Sequence, residues 1–381
     1  MGEKKLGFGC MRVPLLDPSN NTSADMKQLE AMVDRFLAAG FRYFDTAYMY
    51  HDFKSETFVR EALVKRHNRD SFLVADKLPL GMLKKKEDVD RIFQEQKEKT
   101  GLSYFDFYLM HDMNHGNYLT AKKYGAIDYA RAKRQAGEIR HLGFSFHDNA
   151  QVLDLILREN PDMEFVQLQI NYLDWESQGV QSKKCYQVAT EHGIPVIVME
   201  PVKGGTLAKV PQEVEKEMKA MHPDWSVVSW AMGFAADLDN VKMVLSGMSN
   251  MEQMENNISF LTDLPTFGQE EKELLARACD VIAGKIAVPC TGCRYCVEES
   301  SCPMGIPIPN YFALYNTENL QREKGWTPER EYYSNFVKLG NGRASQCIAC
   351  HKCEKVCPQH IAISERMQDV TKVLEENNAQ L

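Results

Sequence analysis

Between residues 6 and 265 the chain alternates short runs of β-branched and aromatic residues with longer amphipathic runs. The short runs predict strands, and the longer runs, with apolar residues every three or four positions, predict helices. Two of these helices have clear ends, since Asp25–Ala39 stops at Gly40 and Ser182–His192 stops at Gly193. The predicted strands are Leu6–Val13, Arg42–Thr46, Phe72–Lys77, Phe105–His111, Ile139–Phe146, Phe165–Tyr172, Pro195–Glu200 and Val241–Gly247.

Eight strand-helix alternations in one continuous segment predict an α/β fold, a (β/α)8 TIM barrel. A doubly wound open sheet is the alternative. Such a sheet usually carries a G-x-G-x-x-G turn after its first strand, and the run GFGCMR from Gly7 to Arg12 lacks the third glycine.

The chain has 381 residues, so about a quarter of it lies beyond the predicted barrel. We therefore expect two domains, a barrel over residues 1–284 and a small, mainly helical domain over residues 285–381. The net charge of −8 and the shortness of basic clusters such as Lys84–Lys86 argue against a nucleic-acid partner. No apolar stretch reaches eighteen residues and no signal peptide is recognisable, so we expect no membrane span and a cytoplasmic location.

Eight of the eleven cysteines lie in two short runs near the C-terminus. Each run has three cysteines at C-x2-C-x2-C spacing, which can converge on one four-iron, four-sulfur cluster, and a fourth before a proline, which points elsewhere. The pattern predicts two [4Fe-4S] clusters. Zinc is the alternative, although zinc gives no reason for a third cysteine at the same spacing, and disulfides are disfavoured in a reducing cytoplasm. The runs are Cys290, Cys293, Cys296 and Cys302, and Cys347, Cys350, Cys353 and Cys357.

This segment resembles the bacterial dicluster ferredoxins, in which the fourth cysteine of each motif binds the other cluster. The first run departs from the usual spacing by two extra residues between Cys296 and Cys302. The resemblance implies a ferredoxin-like iron-sulfur domain with crossed ligand sets. One set is Cys290, Cys293, Cys296 and Cys357, and the other is Cys302, Cys347, Cys350 and Cys353.

Four polar residues lie at three successive strand ends, which is where barrel enzymes carry their chemistry. Asp45 lies at the end of the second predicted strand and Tyr50 follows it, and Lys77 and His111 end the third and fourth. Because a neighbouring ammonium favours the phenolate, we expect Lys77 to lower the pKa of Tyr50 and make it a proton donor. Asp45 would hold Lys77, and His111 would orient a carbonyl oxygen. Taken singly, these residues also fit purely structural roles. Asp45 could cap a turn, Lys77 could extend its ammonium to solvent, and His111 could be a hydrogen-bonded residue of the core.

With the run FDTAYMY from Phe44 to Tyr50, these four residues resemble the catalytic tetrad of the aldo-keto reductases, over about residues 5–265. The resemblance implies that the protein is an oxidoreductase. It would reduce a small carbonyl or oxidise an alcohol, with NADP(H) or NAD(H) lying over the barrel mouth. The candidate cofactor-binding residues are Gly9, Met11, Ser145, Gln167, Asn171, Met199, Lys203, Ser249, Gln253 and Asn257.

The sequence departs from the family pattern at three places. Phe146 stands where asparagine is usual, Met199 and Glu200 stand where an aromatic often stacks on the nicotinamide, and no arginine lies between Ser249 and Asn257. The identity of the cofactor therefore stays open.

The pairing of a barrel with clusters leaves further alternatives for the cofactor, for the electron-transfer partner and for the function. A nicotinamide delivers two electrons as hydride and each cluster accepts one, whereas a flavin can do both, so a flavin at the barrel mouth is a second candidate. An external ferredoxin or another electron-transfer partner could exchange electrons with the clusters. Two other hypotheses are that the barrel has lost turnover and acts as an electron-transfer or binding scaffold, and that the clusters only stabilise the tail.

Overall fold

Eight parallel strands form a closed barrel in the order β1 to β8, and β8 pairs with β1. The predicted barrel is therefore confirmed, and the open-sheet alternative is wrong. The structure is a computed structural model that describes residues 4–17, 20–177, 180–284, 286–321, 328–338 and 340–376. The strands are β1 (Leu6–Gly9), β2 (Tyr43–Asp45), β3 (Leu73–Pro79), β4 (Phe105–Met113), β5 (Ile139–Phe146), β6 (Phe165–Gln169), β7 (Val196–Met199) and β8 (Val241–Ser246).

Helices follow the strands around the barrel. The first begins after Asp25, whose side chain accepts the Gln28 N–H at 3.0 Å, as expected of an N-cap. The helices up to residue 283 are α1 (Met26–Ala38), α2 (Tyr50–Phe53), α3 (Ser55–Val59), α4 (Glu87–Thr100), α5 (His115–Tyr124), α6 (Ala126–Gln135), α7 (Ala150–Glu159), α8 (Ser182–Glu191), α9 (Gln212–Met221), α10 (Val227–Asp237), α11 (Met251–Thr262) and α12 (Gln269–Ala283).

The interior of the barrel is a packed core rather than a channel. Phe107 packs against Tyr43 and Phe165, with ring centroids 5.0 and 5.4 Å apart. Gly143 makes room for Phe165, because a Cβ at this glycine would lie 2.4 Å from the Phe165 carbonyl oxygen. This filled interior leaves the strand ends as the place for a site.

A bulge interrupts β4 between Met110 and Met113, in the stretch that contains His111. Met110 pairs with Phe144 and Met113 with Phe146, so β4 has one more residue than β5 over this interval. Asp112 adopts a left-handed φ of 54° within the bulge. Bulges of this kind change the direction of neighbouring side chains, and this one lies beside a candidate catalytic residue.

The chain divides into two compact units, Met1–Val202 with Asp224–Glu270, and Lys203–Pro223 with Glu271–Leu381. The segment Lys203–Pro223, which begins four residues after the end of β7, therefore belongs to the second unit. Lys285, where the sequence predicts that the second domain begins, lies outside the described residues. The remaining helices of the second unit are α13 (Tyr295–Glu298), α14 (Ile308–Gln321), α15 (Pro328–Lys338), α16 (Lys352–Lys355) and α17 (Ile363–Val370).

Within the described ranges, no helix is both long and apolar enough to span a membrane.

Candidate active site and cluster-binding site

The ends of β2, β3 and β4 bring the four predicted catalytic residues together. The Lys77 ammonium donates to Asp45 Oδ1 at 2.5 Å and to the Thr46 carbonyl at 2.7 Å, and it lies 3.5 Å from the Tyr50 hydroxyl. The His111 ring faces the Tyr50 ring nearly at right angles, with centroids 6.0 Å apart. Lys77 is fully buried and Tyr50 is partly exposed. The arrangement places one phenol beside one ammonium at the barrel mouth.

Burial controls the protonation states of Tyr50 and His111. It raises the pKa of Tyr50 to about 12, although Lys77 lowers that pKa in part. The net shift is upward, opposite to the direction predicted from the sequence, because the desolvation of the phenolate outweighs its attraction to Lys77. Burial also lowers the pKa of His111 well below its usual value, so its imidazole is neutral at physiological pH.

The Lys77 side chain keeps its charge despite full burial. Burial by itself would lower the pKa of Lys77, but the carboxylate of Asp45 raises it above its ordinary value. At physiological pH the site therefore contains a charged ammonium, a neutral phenol and a neutral imidazole. A neutral phenol can give a proton, and the ammonium can stabilise the phenolate that remains.

The side-chain amides of Gln167 and Asn171, which are predicted to bind the cofactor, form hydrogen bonds within the barrel. Gln167 donates to Asp45 Oδ2 at 3.1 Å and so holds the partner of Lys77 in place. Asn171 donates to Asp174 at 2.8 Å and to the Glu200 carbonyl at 3.1 Å, which engages both hydrogens of its amide. In this arrangement Asn171 can offer a ligand only its acceptor oxygen.

Three further cofactor candidates lie at the β8 end of the first unit. Ser249 donates to the Arg12 carbonyl at 3.0 Å, and its own N–H donates to Gln253 Oε1 at 2.8 Å. Both side chains are exposed just before or within the first turn of α11, and the N-terminal end of a helix suits phosphate. Asn257 is instead buried and donates to Ser246 Oγ at 2.9 Å.

The other five candidates are spread over both units. Gly9 ends β1, and Met11 lies in the 3-10 turn that follows it. Ser145 is buried on β5, where its hydroxyl accepts the Asp112 N–H at 2.9 Å. Met199 is the last residue of β7. Lys203 is buried in a 3-10 turn of the second unit.

Sequence reasoning missed a charge pair at the barrel mouth. The Arg12 guanidinium lies 3.7 Å from the Glu200 carboxylate, joining the segments that follow β1 and β7. Glu200 also contributes to raising the pKa of Tyr50. The only sequence signal was the placement of both residues at the C-terminal ends of predicted strands, Leu6–Val13 and Pro195–Glu200.

In the second unit, eight cysteines line two cavities. Each cavity receives three cysteines from one run and the fourth from the other run, which is the crossed arrangement expected from the sequence. Within the described ranges, no three His, Cys, Asp or Glu side chains are arranged to hold a single metal ion. Cys290, Cys293, Cys296 and Cys357 line the first cavity, and Cys302, Cys347, Cys350 and Cys353 line the second.

The residues of these cavities fit iron-sulfur clusters. Burial raises the pKa of the Cys293 thiol well above its usual value, and its neighbours Cys290 and Cys296 raise it further. Thiolates gathered in such a place need nearby positive charge, which cluster iron supplies. The Gly292 N–H also lies 3.4 Å from Cys290 Sγ, a hydrogen bond of the kind that stabilises cluster sulfur.

The first cysteine loop closely approaches the segment that follows β7. Gly204 has a φ of +64°, and a Cβ there would lie 2.1 Å from the Thr291 carbonyl oxygen, between Cys290 and Cys293. We predict that Gly204→Ala displaces this loop, so that iron per chain falls toward half after anaerobic reconstitution. Gly205→Ala is the control, because Gly205 has a φ of +100° with nothing within 4 Å of its Cβ position. Equal iron loss in both variants would show that backbone strain, not the contact, matters.

A closed parallel barrel with a lysine-tyrosine pair at its strand ends, joined to a unit with two four-cysteine cavities, is the architecture of an iron-sulfur oxidoreductase. Residues 5–275 match the model of the aldo/keto reductase family, and residues 289–362 match the 4Fe-4S dicluster domain. The protein belongs to the aldo/keto reductase family and is an oxidoreductase. The match of the C-terminal region favours iron-sulfur clusters over zinc.

Solved structures of this fold resemble the barrel. An aldo-keto reductase from Bacillus halodurans, in its holo form, is 21% identical, with a TM-score of 0.57 over 72% of this chain and 91% of its own. An aldo-keto reductase from Klebsiella pneumoniae in complex with NADPH is 18% identical, with a TM-score of 0.56 over 73% of this chain and 95% of its own. At these identities the similarity establishes the fold.

Proposed function

We propose that the barrel reduces small carbonyl compounds with NADPH or NADH, or oxidises the corresponding alcohols, at the ends of β2, β3 and β4. The observation that carries this proposal is the buried Lys77 ammonium, 2.5 Å from Asp45 and 3.5 Å from the Tyr50 hydroxyl. A nicotinamide supplies the hydride when bound. The NADPH complex of the Klebsiella pneumoniae enzyme supports the phosphorylated cofactor.

Each tetrad residue has a distinct task in this reaction. Tyr50, neutral at physiological pH, gives its proton to the carbonyl oxygen as negative charge develops there. The Lys77 ammonium stabilises the resulting phenolate, and Asp45 keeps Lys77 charged. The neutral His111 imidazole donates a hydrogen bond that orients the carbonyl oxygen.

We propose that residues 1–284 form the barrel domain and residues 285–381 the C-terminal domain, with two [4Fe-4S] clusters in the two cysteine-lined cavities. The cavities support crossed ligand sets, because each combines cysteines from both runs. Such clusters transfer single electrons. They would exchange electrons with a cofactor of the barrel or with an external carrier such as a ferredoxin.

Activity and cofactor content test this proposal directly. Protein purified without air and with its clusters intact should oxidise NADPH or NADH in the presence of some member of an aldehyde and ketone panel. Absence of turnover over a broad panel would favour the scaffold hypothesis. Cofactor extraction, followed by titration of cluster absorbance with NADPH, separates the remaining alternatives. Bound flavin together with cluster bleaching would place a flavin in the electron path.

Replacing Lys77 by methionine should lower kcat and move the pH profile of alcohol oxidation upward. Oxidation requires the phenolate, and the pKa of Tyr50, already about 12, rises further without the ammonium. The substitution also leaves Asp45 buried without its cation, at a cost of about 3–5 kcal/mol in stability. The double variant with Asp45→Asn removes both charges and should recover stability without recovering the rate. Rate against pH and thermal unfolding measure the two effects, and an unshifted profile would remove Lys77 from the mechanism.

A further inference from the structure

A pair of buried carboxyl groups lies behind the catalytic lysine. Asp76 precedes Lys77 on β3, so its side chain points to the opposite face of the strand, toward the helices. There it faces Glu56 of α3, and each of the two carboxyl groups affects the pKa of the other. Asp76 Oδ2 and both carboxylate oxygens of Glu56 are buried and receive no hydrogen bond from the described part of the chain. Both residues are fully buried. The tetrad mechanism uses neither of them.

These two groups can bond only if one of them carries a proton, because ionised carboxylates accept hydrogen bonds and do not donate them. Asp76 Oδ1 accepts the Lys77 N–H at 2.8 Å, whereas Oδ2 receives no N–H donor from the part of the chain that the structure describes. Burial first, and then Glu56, raises the pKa of Asp76 well above its usual value. The Glu56 carboxylate lies 3.2 Å from the Lys99 ammonium. The proton therefore belongs on Asp76, and the negative charge belongs on Glu56 beside Lys99.

Glu56 lies on the same short segment as the proton donor Tyr50. Between Tyr50 and Ser55, the three residues His51, Asp52 and Phe53 have φ values of 54°, 49° and 68°. Left-handed backbone at non-glycine residues persists only where the surroundings hold it in place. On the far side of this strained turn, the Ser55 hydroxyl lies 2.9 Å from that of Thr46, and Glu56 meets Asp76. The acid pair thus connects the strand of Lys77 to the segment that carries Tyr50.

We propose that protonated Asp76 donates a hydrogen bond to the Glu56 carboxylate, and that this hydrogen bond positions the Tyr50 hydroxyl against the Lys77 ammonium. Both are positioning residues, since they act on the reaction through Tyr50 and Lys77. The inference rests on the proposed role of Tyr50 as proton donor. The other titratable groups that face the pair are Lys77 on β3, Glu95 and Lys99 on α4, Tyr108 on β4, and Cys10 after β1.

The test is a rescue series at Asp76. Asp76→Asn keeps Oδ1 for the Lys77 N–H and presents an amide N–H to Glu56, so its kcat near neutral pH should stay within a few-fold of the parent. Asp76→Leu has similar volume but offers no donor, and its kcat should fall by roughly tenfold or more, since small misplacements in an active site can cost up to 10²-fold. If Asp76→Leu fails to fold, Glu56→Met takes its place, because it leaves Asp76 without a partner and should show the same fall in kcat. Glu56→Gln is the second rescue variant: its amide donates to an ionised Asp76, so its kcat should again stay near that of the parent.

Infrared spectroscopy provides a readout independent of turnover. At pH 8 the parent should show the C=O stretch of one protonated carboxyl, sensitive to exchange into heavy water, and both Asp76→Asn and Glu56→Gln should lack it. Because the amides cannot lose this proton, neither variant should show an alkaline loss of activity that comes from the pair. In the parent, activity is retained below the raised pKa of Asp76 and lost as the pH rises through it.

Two outcomes would overturn the inference. One is a kcat for Asp76→Asn as low as that for Asp76→Leu, and the other is an infrared band that both amide variants retain. The proposed function is tested separately, by the effect of Tyr50→Phe on carbonyl reduction. If Tyr50→Phe abolishes reduction while Asp76→Leu and Asp76→Asn behave like the parent, only the positioning role is wrong.

Discussion

Replacing Tyr50 by phenylalanine is expected to lower kcat for carbonyl reduction by about 10²–10⁴-fold, the usual contribution of a positioned general acid. The substitution removes the hydroxyl that lies 3.5 Å from the Lys77 ammonium and leaves the ring in place. Because little packing is lost, thermal unfolding and cluster absorbance should remain those of the parent. Steady-state NADPH oxidation with the best carbonyl substrate measures the effect.

The chain offers a matched control two residues earlier. The Tyr48 hydroxyl donates to Glu95 at 2.9 Å on α4, away from the tetrad contacts of Lys77. Tyr48→Phe therefore makes the same chemical change and should leave kcat within a few-fold of the parent. Comparable rates for Tyr50→Phe and the parent would contradict the assignment of Tyr50 as proton donor. Comparable losses in both variants would indicate a general effect on the loop after β2.

Two single variants, Cys293→Ala and Cys350→Ala, should each lack one cluster. In each of them, iron per chain should fall from about eight toward about four. The two thiols line different cavities, so each variant should keep the absorbance and paramagnetic signal of the other cluster. Metal analysis of protein prepared without air gives the count. About one or two zinc atoms per chain and no iron would refute the cluster assignment.

The crossed arrangement makes a sharper prediction about Cys357. This residue belongs to the second run in the sequence but lines the first cavity. Cys357→Ala should therefore reproduce the spectrum of Cys293→Ala and not that of Cys350→Ala, and it should also destabilise the tail. Cys279→Ala is the control, because Cys279 lies on α12 and lines neither cavity, and it should retain about eight iron atoms.

The strands could be predicted from the sequence because each one is marked by a local pattern of residues. Buried parallel strands are apolar on both faces, so each appears as a short apolar run between turns, and β5 has the predicted bounds Ile139–Phe146. The errors lie at strand ends, where apolar residues continue into the loops of the barrel mouth. The first strand was predicted to reach Val13, but it ends at Gly9, because Cys10–Arg12 form a 3-10 turn.

Residue type alone did not determine what the polar groups of the site contact. Gln167 remains a predicted cofactor contact, and in the structure its amide donates to Asp45 at 3.1 Å. Asn171 was assigned to the same ligand, and both of its amide hydrogens bond within the barrel. An amide can donate and accept in several directions, so its partner depends on the distances that the fold creates.

The sequence by itself determined the barrel, the strand ends that carry Asp45, Tyr50, Lys77 and His111, and the two cysteine runs, because spacing along the chain specifies element type and motif. Only the tertiary structure decided the upward shift in the pKa of Tyr50 and the meeting of Asp76 with Glu56. Desolvation and contacts between distant segments depend on how the strands and helices pack. The periodicity of one sequence segment contains no information on either.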